Sequence, residues 1–208
     1  MMVDFNELIG SDLRYNLHSH TQFCDGRAQM EAFAAAAVAA GFSVYGFTPH
    51  SPVRFHSPCN MLEANVPVYI DEVRRLQSLY DGRIRFLAGM EIDYIDSECG
   101  PASPYFRQLA LDYRIGSVHF VPADNEYVDI DGRFERFVEK MARYFHNDIH
   151  HVIRLFFSQS IAMVEAGGFD IVGHIDKIAH NASMFHPGIE DAPEYLRLIN
   201  DLIDAVIA

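Results

Sequence analysis

Blocks of apolar residues at a period of two alternate with blocks at a period near 3.6 along most of the chain. Tyr15 to His20 reads as a first strand. Gln29 to Ala40 is alanine-rich and closed by Gly41, which predicts a helix with a glycine just past its end. Ser43 to Thr48 is a short apolar run stopped by Pro49, a second strand. Ser51 to Pro67 holds three prolines and reads as a long loop. Pro67 to Tyr80 has helical spacing and is followed by Asp81-Gly82, a second helix. Ile84 to Ile92 predicts a third strand, Ser103 to Leu111 a helix, and Tyr113 to Val121 a fourth strand. Asp124 to Gly132 is acidic and turn-rich, a loop or a hairpin. Arg133 to Gly167 is mostly helical, with a break near Asn147-Asp148. Phe169 to His174 reads as a fifth strand and His180 to Pro187 as a loop. Pro193 to Ile207 is an amphipathic helix with Leu196, Ile199, Leu202, Ile203 and Val206 on one face. Strand and helix alternate, which predicts an α/β fold with parallel strands and crossover helices.

The chain has 208 residues, half of them hydrophobic, which suits a single domain over 1–208 with a sizeable core. A formal net charge of −13 disfavours long nucleic acid as a partner, because phosphate backbones are held by Lys and Arg. Cys24, Cys59 and Cys99 show no CxxC spacing, which fits a reducing compartment. The start, Met-Met-Val-Asp-Phe-Asn-Glu, carries no basic region before an apolar core, and no apolar run reaches membrane-spanning length. The expected location is the cytoplasm.

The 11 histidines change the picture. His18 and His20 stand at i and i+2, so on a strand both imidazoles point to one face. His50 ends the second strand, Glu91 and Asp93 the third, His119 the fourth, and His174 and Asp176 the fifth. One such histidine is usually an ordinary core or rim residue. Five strands in succession that each end on a metal-competent side chain point to one metal site, on the side where parallel α/β folds build active sites.

The ordered runs His18-Ser-His20-Thr, Phe23-Cys24-Asp25-Gly26, Thr48-Pro49-His50-Ser51-Pro52, Gly89-Met90-Glu91, Gly116-Ser117-Val118-His119 and Val172-Gly173-His174-Ile175-Asp176 resemble the PHP (polymerase and histidinol phosphatase) superfamily, and within it the histidinol-phosphate phosphatases. The resemblance implies a distorted (β/α)7 barrel with up to three divalent ions, zinc, manganese or iron. His18, His20 and a bridging Glu91 would serve the first ion, Glu91, His119 and His174 the second, and Asp25 and His50 the third. Pro49 stands where the family commonly has Asp, which would remove a partner that orients His50. The family's late Asp-x-His is not found after His186, so the barrel is expected to be incomplete at the C-terminus, with the first and third ions each one ligand short.

The implied activity is metal-dependent hydrolysis of L-histidinol phosphate, in L-histidine biosynthesis, by attack of a metal-bound hydroxide. Glu91 and His119 would carry the chemistry, with Asp176 orienting a ligand or shuttling a proton. Arg27, Arg54, Arg154 and Lys177 are the candidate cations for the substrate phosphate. His180 and His186 lie in a loop within reach of the site, while His150 and His151 are adjacent on a helix and should face different ways. Two alternatives remain open: another small phosphoester or nucleotide as substrate, and an inactive metal-binding fragment. An apolar final helix on an unclosed barrel would favour a homodimer.

Overall fold

The computed structural model describes residues 3–208, and Met1 and Met2 lie outside the described residues. The chain divides into two compact units, Met1–Ile92 with Gln108–Ile115, and Asp93–Arg107 with Gly116–Ala208.

In the first unit, a short helix α1 (Phe5–Ile9) precedes β1 (Tyr15–Asn16), α2 (Met30–Ala39), β2 (Val44–Phe47), α3 (Val66–Leu79) and β3 (Arg85–Ala88). The three strands form a parallel sheet in the order β1-β2-β3, with Tyr15 opposite Val44 and Phe47 opposite Ala88. All four residues of β2 are buried, as expected of a parallel strand covered on both faces. Helix α3 begins with Pro67 in its first turn and buries Val66, Tyr69, Val73 and Leu76, a single stripe at helical spacing. Helix α2 ends as the sequence predicts, with Gly41 at φ 74° just beyond it.

The expected strands are shorter than their apolar runs. The first stops at Asn16, before His18, and the third breaks at Gly89-Met90 before β4 (Glu91–Asp93) resumes. The cause is packing between distant parts of the chain. The buried ring of Tyr113 fills the space against Gly46 and Gly89, and its hydroxyl donates to the Leu17 carbonyl at 2.6 Å. The Tyr69 hydroxyl lies 2.8 Å from the Phe47 carbonyl and 2.5 Å from the Gly89 carbonyl and donates between them. The Phe47 carbonyl also keeps the Gly89 N–H at 2.8 Å, so the tyrosine hydroxyls supply partners to the Leu17 and Gly89 carbonyls and the irregular backbone leading to Glu91 is still satisfied.

The second unit holds α4 (Pro104–Arg107), the hairpin β6 (Phe120–Ala123) and β7 (Glu126–Asp129), helices α5 (Phe134–Tyr144) and α6 (Ile149–Ala166), strand β8 (Ile171–Val172), then α7 (Ala179–Phe185) and α8 (Pro193–Ile207). The fourth expected strand is two pieces, β5 (Ile115–Ser117) and β6, separated at Val118-His119. The strands β4, β5 and β8 are neighbours in that order. The turn-rich stretch from Asp124 resolves as a hairpin, with Asp124 at φ 51°. The helix expected from Ser103 shrinks to four residues, and the expected loop His180 to Pro187 is mostly helix α7. Asn181 accounts for that helix in part: it is buried, and its amide donates to the Ile130 carbonyl at 3.1 Å. The break at Asn147-Asp148 falls where expected, with Asp148 accepting from the His151 N–H as the cap of α6. The core packs Phe137 and Met141 of α5, Val152, Ile153, Phe156 and Phe157 of α6, and Leu202 of α8. Among the described residues no helix is long and apolar enough to cross a membrane.

Candidate metal centre

In the first unit four expected ligands gather at the C-terminal edge of the sheet. Glu91 is fully buried, and three imidazoles face its two oxygens. His18 Nε2 is 3.8 Å from Oε1, while His20 Nε2 and His50 Nδ1 are each 3.2 Å from Oε2. A buried carboxylate demands positive charge. Donor separations just above 3 Å are those of atoms that share one ion, since two nitrogens at ~2.05 Å from a tetrahedral centre stand about 3.3 Å apart. The donor atoms of His18, His20 and Glu91 all lie within 4.8 Å of one another. The residue set therefore fits a divalent ion with N/O preference.

Each imidazole is aimed by what its other nitrogen does. Asp25 lies 2.6 Å from His20 Nδ1, leaving Nε2 for Glu91. The loop that brings Asp25 there is tight: the N–H groups of Cys24 and Gly26 both donate to the Thr21 carbonyl at 3.0 Å, and a side chain at Gly26 would run into the Thr21 backbone. The Asp25 hydrogen bond, then that of Glu91, raise the His20 pKa to about 10, and His20 holds the Asp25 carboxyl down at about 2. Cys24 joins His20 and Asp25 as a third donor within 4.8 Å.

His18 is held by Thr48, a residue to which the sequence assigned no role. Its Nδ1 is 2.8 Å from the Thr48 hydroxyl, which also accepts the Ser19 N–H at 2.9 Å. The Thr48 N–H donates to the Ser19 carbonyl at 2.8 Å. These bonds continue the β1–β2 pairing past its last ladder bond and keep His18 and His20 on one side.

In the second unit His119 and His174 come together, with Nε2 atoms 3.4 Å apart. His119 Nδ1 is 2.7 Å from Asp93 Oδ1, and both side chains are buried. Asp93 was read as a strand-end residue without a role; its spacing of two from Glu91 was the available signal. It fixes the His119 tautomer as carboxylates do behind metal-binding histidines.

Of the basic candidates, Lys177 pairs with Asp131 at 2.9 Å. Burial alone would raise the Asp131 carboxyl, but the Lys177 hydrogen bond and charge outweigh it and hold the pKa below its usual value. Arg154 donates to Glu194 at 2.9 Å, tying α6 to α8, and His150 shares the same carboxylate at 2.8 Å. His151 faces elsewhere, 6.4 Å from the Phe145 ring. Arg27 and Arg54 belong to the first unit, in the loops after Asp25 and His50. Asp176 acts on Tyr195: burial first, then Asp176 and Glu190, push that hydroxyl up to about 12.

The PHP domain family profile matches residues 16–207. A Deinococcus radiodurans protein assigned as a histidinol-phosphatase is 29% identical over 170 residues, covering 76% of this chain and 59% of its own length. The histidinol-phosphatase of Bacillus subtilis strain 168 is 30% identical over 125 residues, covering 55% of this chain and 47% of its own length. The chain thus spans about half to three fifths of the length of the curated relatives it matches. Among solved structures, a Listeria monocytogenes protein assigned as a histidinol phosphatase superposes with a TM-score of 0.77 at 18% identity, over 93% of this chain and 79% of that one. The histidinol phosphate phosphatase of Lactococcus lactis subsp. lactis Il1403, in complex with zinc, L-histidinol and phosphate, superposes with a TM-score of 0.55 at 19% identity, over 94% of this chain and 80% of that one. These likenesses establish a PHP-type α/β fold, and with the profile match along nearly its whole length the chain belongs to the PHP domain family.

Proposed function

We propose that this chain carries the catalytic domain of a metal-dependent histidinol-phosphate phosphatase, which hydrolyses L-histidinol phosphate to histidinol and phosphate in histidine biosynthesis. The observation that carries the reading is the buried Glu91 carboxylate ringed by His18, His20 and His50. The names of the curated relatives and the ligands of the Lactococcus structure supply the substrate class. His18, His20, Glu91 and His50 would hold one divalent ion, with Asp25 and Cys24 beside His20, and His119 with His174 would hold another. Zinc, manganese and iron all suit these donors, and up to three ions are proposed. Bound there, a divalent ion lowers the pKa of water and neutralises charge on phosphoryl oxygens.

The side chains fix the geometry. Asp25, Thr48 and Asp93 each occupy the Nδ1 of one histidine, so that its Nε2 lone pair faces inward without rearrangement. Glu91 in the first unit and His119 in the second are the proposed catalytic residues, with Asp176 as a proton-relay candidate. Lys177, three residues after His174 and held by Asp131 at 2.9 Å, is the favoured phosphate cation. Arg27 and Arg54 are the alternatives in the first unit. Arg154, whose pair with Glu194 ties α6 to α8, is the weakest of the four. One domain over 1–208, a cytoplasmic location and a homodimer belong to the same proposal. Three free cysteines support the location.

The test is a panel of small phosphomonoesters assayed with added Mn²⁺, Zn²⁺ or Fe²⁺. Histidinol phosphate should be turned over fastest, and Glu91→Gln or His119→Ala should abolish turnover while circular dichroism stays unchanged. Preference for another phosphoester would redirect the substrate. No turnover with any metal, together with one ion or none by elemental analysis, would favour a metal-binding domain without activity.

A further inference from the structure

A cavity of about 580 Å³ opens in the first unit, lined among others by Ser43, Arg74, Gln77, Arg83, Arg85 and Asp112. It lies where β2 and β3 begin, at Val44 and Arg85, whereas His50 and Glu91 follow the opposite ends of the same strands. The cavity therefore has no part in the metal centre.

Its charge is unusual for this chain. Formal net charge is −13, so the general field repels anions. Three arginines nevertheless line this one concavity, together with Asp81 and Asp112. Asp112 is already committed: its Oδ2 accepts the Ala88 N–H at 2.7 Å and lies 3.7 Å from Arg74. Arg74 is held in place by Gln77 Oε1 at 2.9 Å and by the Ala110 carbonyl at 3.1 Å. Arg83 lies over the Tyr80 ring, 5.1 Å from its centroid. Among the described residues, neither Arg83 nor Arg85 has a carboxylate within ion-pair distance, and both are exposed at the cavity edge.

A pre-oriented Arg74, two arginines outside any ion pair and the Ser43 hydroxyl, in a lining of three arginines against two aspartates, are the donors that a phosphate group takes. The volume exceeds what a free ion needs and falls within the range of pockets for small organic ligands. We infer that this cavity is a second, non-catalytic binding site for a small phosphate-bearing molecule, held by Arg74, Arg83 and Arg85. It stands independently of the proposed phosphatase activity.

Hydrogen exchange read by mass spectrometry on the full metal-loaded chain tests it, because protection is localised along the sequence. Inorganic phosphate and the non-hydrolysable phenylphosphonate are the two probes. Each should slow exchange in the peptide spanning 81–87, and in Arg83→Gln/Arg85→Gln the midpoint should rise about tenfold or more, as expected for two lost charge-assisted contacts. Both substitutions are at exposed positions, and circular dichroism checks the fold. Tighter protection by phenylphosphonate than by phosphate assigns the site to a phosphate on an organic body; the reverse assigns it to the free ion. No anion-dependent protection at 81–87, or protection unchanged in the double variant, overturns the site.

Discussion

The Nδ1 atom of His119 sits 2.7 Å from Oδ1 of Asp93, and neither side chain reaches solvent to any extent. The bond leaves one nitrogen of His119 for a ligand, and that nitrogen faces His174. Asp93→Asn keeps the shape and removes the charge. Metal affinity should fall by about 10- to 100-fold, the usual cost of losing a carboxylate behind a metal-binding histidine. Metal content after dialysis against a weak chelator measures it, with thermal unfolding as control. Full metal retention would reduce Asp93 to a packing role.

Thr48 does two jobs with one hydroxyl, for His18 and for the Ser19 N–H. Thr48→Val should destabilise the chain by about 1–3 kcal/mol through the orphaned N–H. It should also weaken metal binding by freeing the His18 ring. Thr48→Ser keeps the oxygen and should restore metal binding. Equal metal affinities in the Val and Ser variants would show that the hydroxyl does not orient His18.

Gly89 has no room for a side chain: an added Cβ would lie 2.5 Å from Tyr113 Cζ and 2.7 Å from Thr48 Cγ2. Gly89→Ala should lower stability by about 1–3 kcal/mol through overpacking, and should disturb Glu91 two residues on. Urea unfolding gives the first effect and metal content the second. A variant as stable as the parent would show that the Tyr113 ring can retreat.

Glu194 receives Arg154 and His150 together, and the Arg154 hydrogen bond, followed by that of His150, lowers its pKa. A lowered carboxylate stabilises the fold above its unfolded pKa, about 4.3, and that contribution disappears as pH falls through the folded value. Stability should therefore drop between about pH 5 and pH 3 by more in the parent than in Glu194→Gln. The difference should be small and should shrink in high salt, because the pair is partly exposed. Urea midpoints across that range, at two salt concentrations, decide it; parallel acid limbs would remove Glu194 from the pH response.

Local features of the polypeptide by themselves determined the long helices, the glycine past α2, the cap at Asp148 and the order in which histidines and acids arrive at strand ends. Each depends on residues within a few positions of one another, through helical period, φ preference or a side chain returning to its own backbone. The sequence put His18, His20, His50 and Glu91 at strand ends, but it set Asp25 beside His50 only by resemblance, whereas Asp25 pairs with His20. The meeting of the imidazoles with Glu91 spans long separations along the chain. Tertiary structure alone decided where the strands stop, since the Tyr113 ring fills the space beside Gly89 and Tyr69 bonds the Gly89 carbonyl. It alone turned the stretch after Ile178 into a helix tied down by Asn181, and gave Thr48 and Asp93 their partners. Those bonds join groups 20 to 96 residues apart, and no period or local propensity along the chain encodes which distant donor a given acceptor will meet.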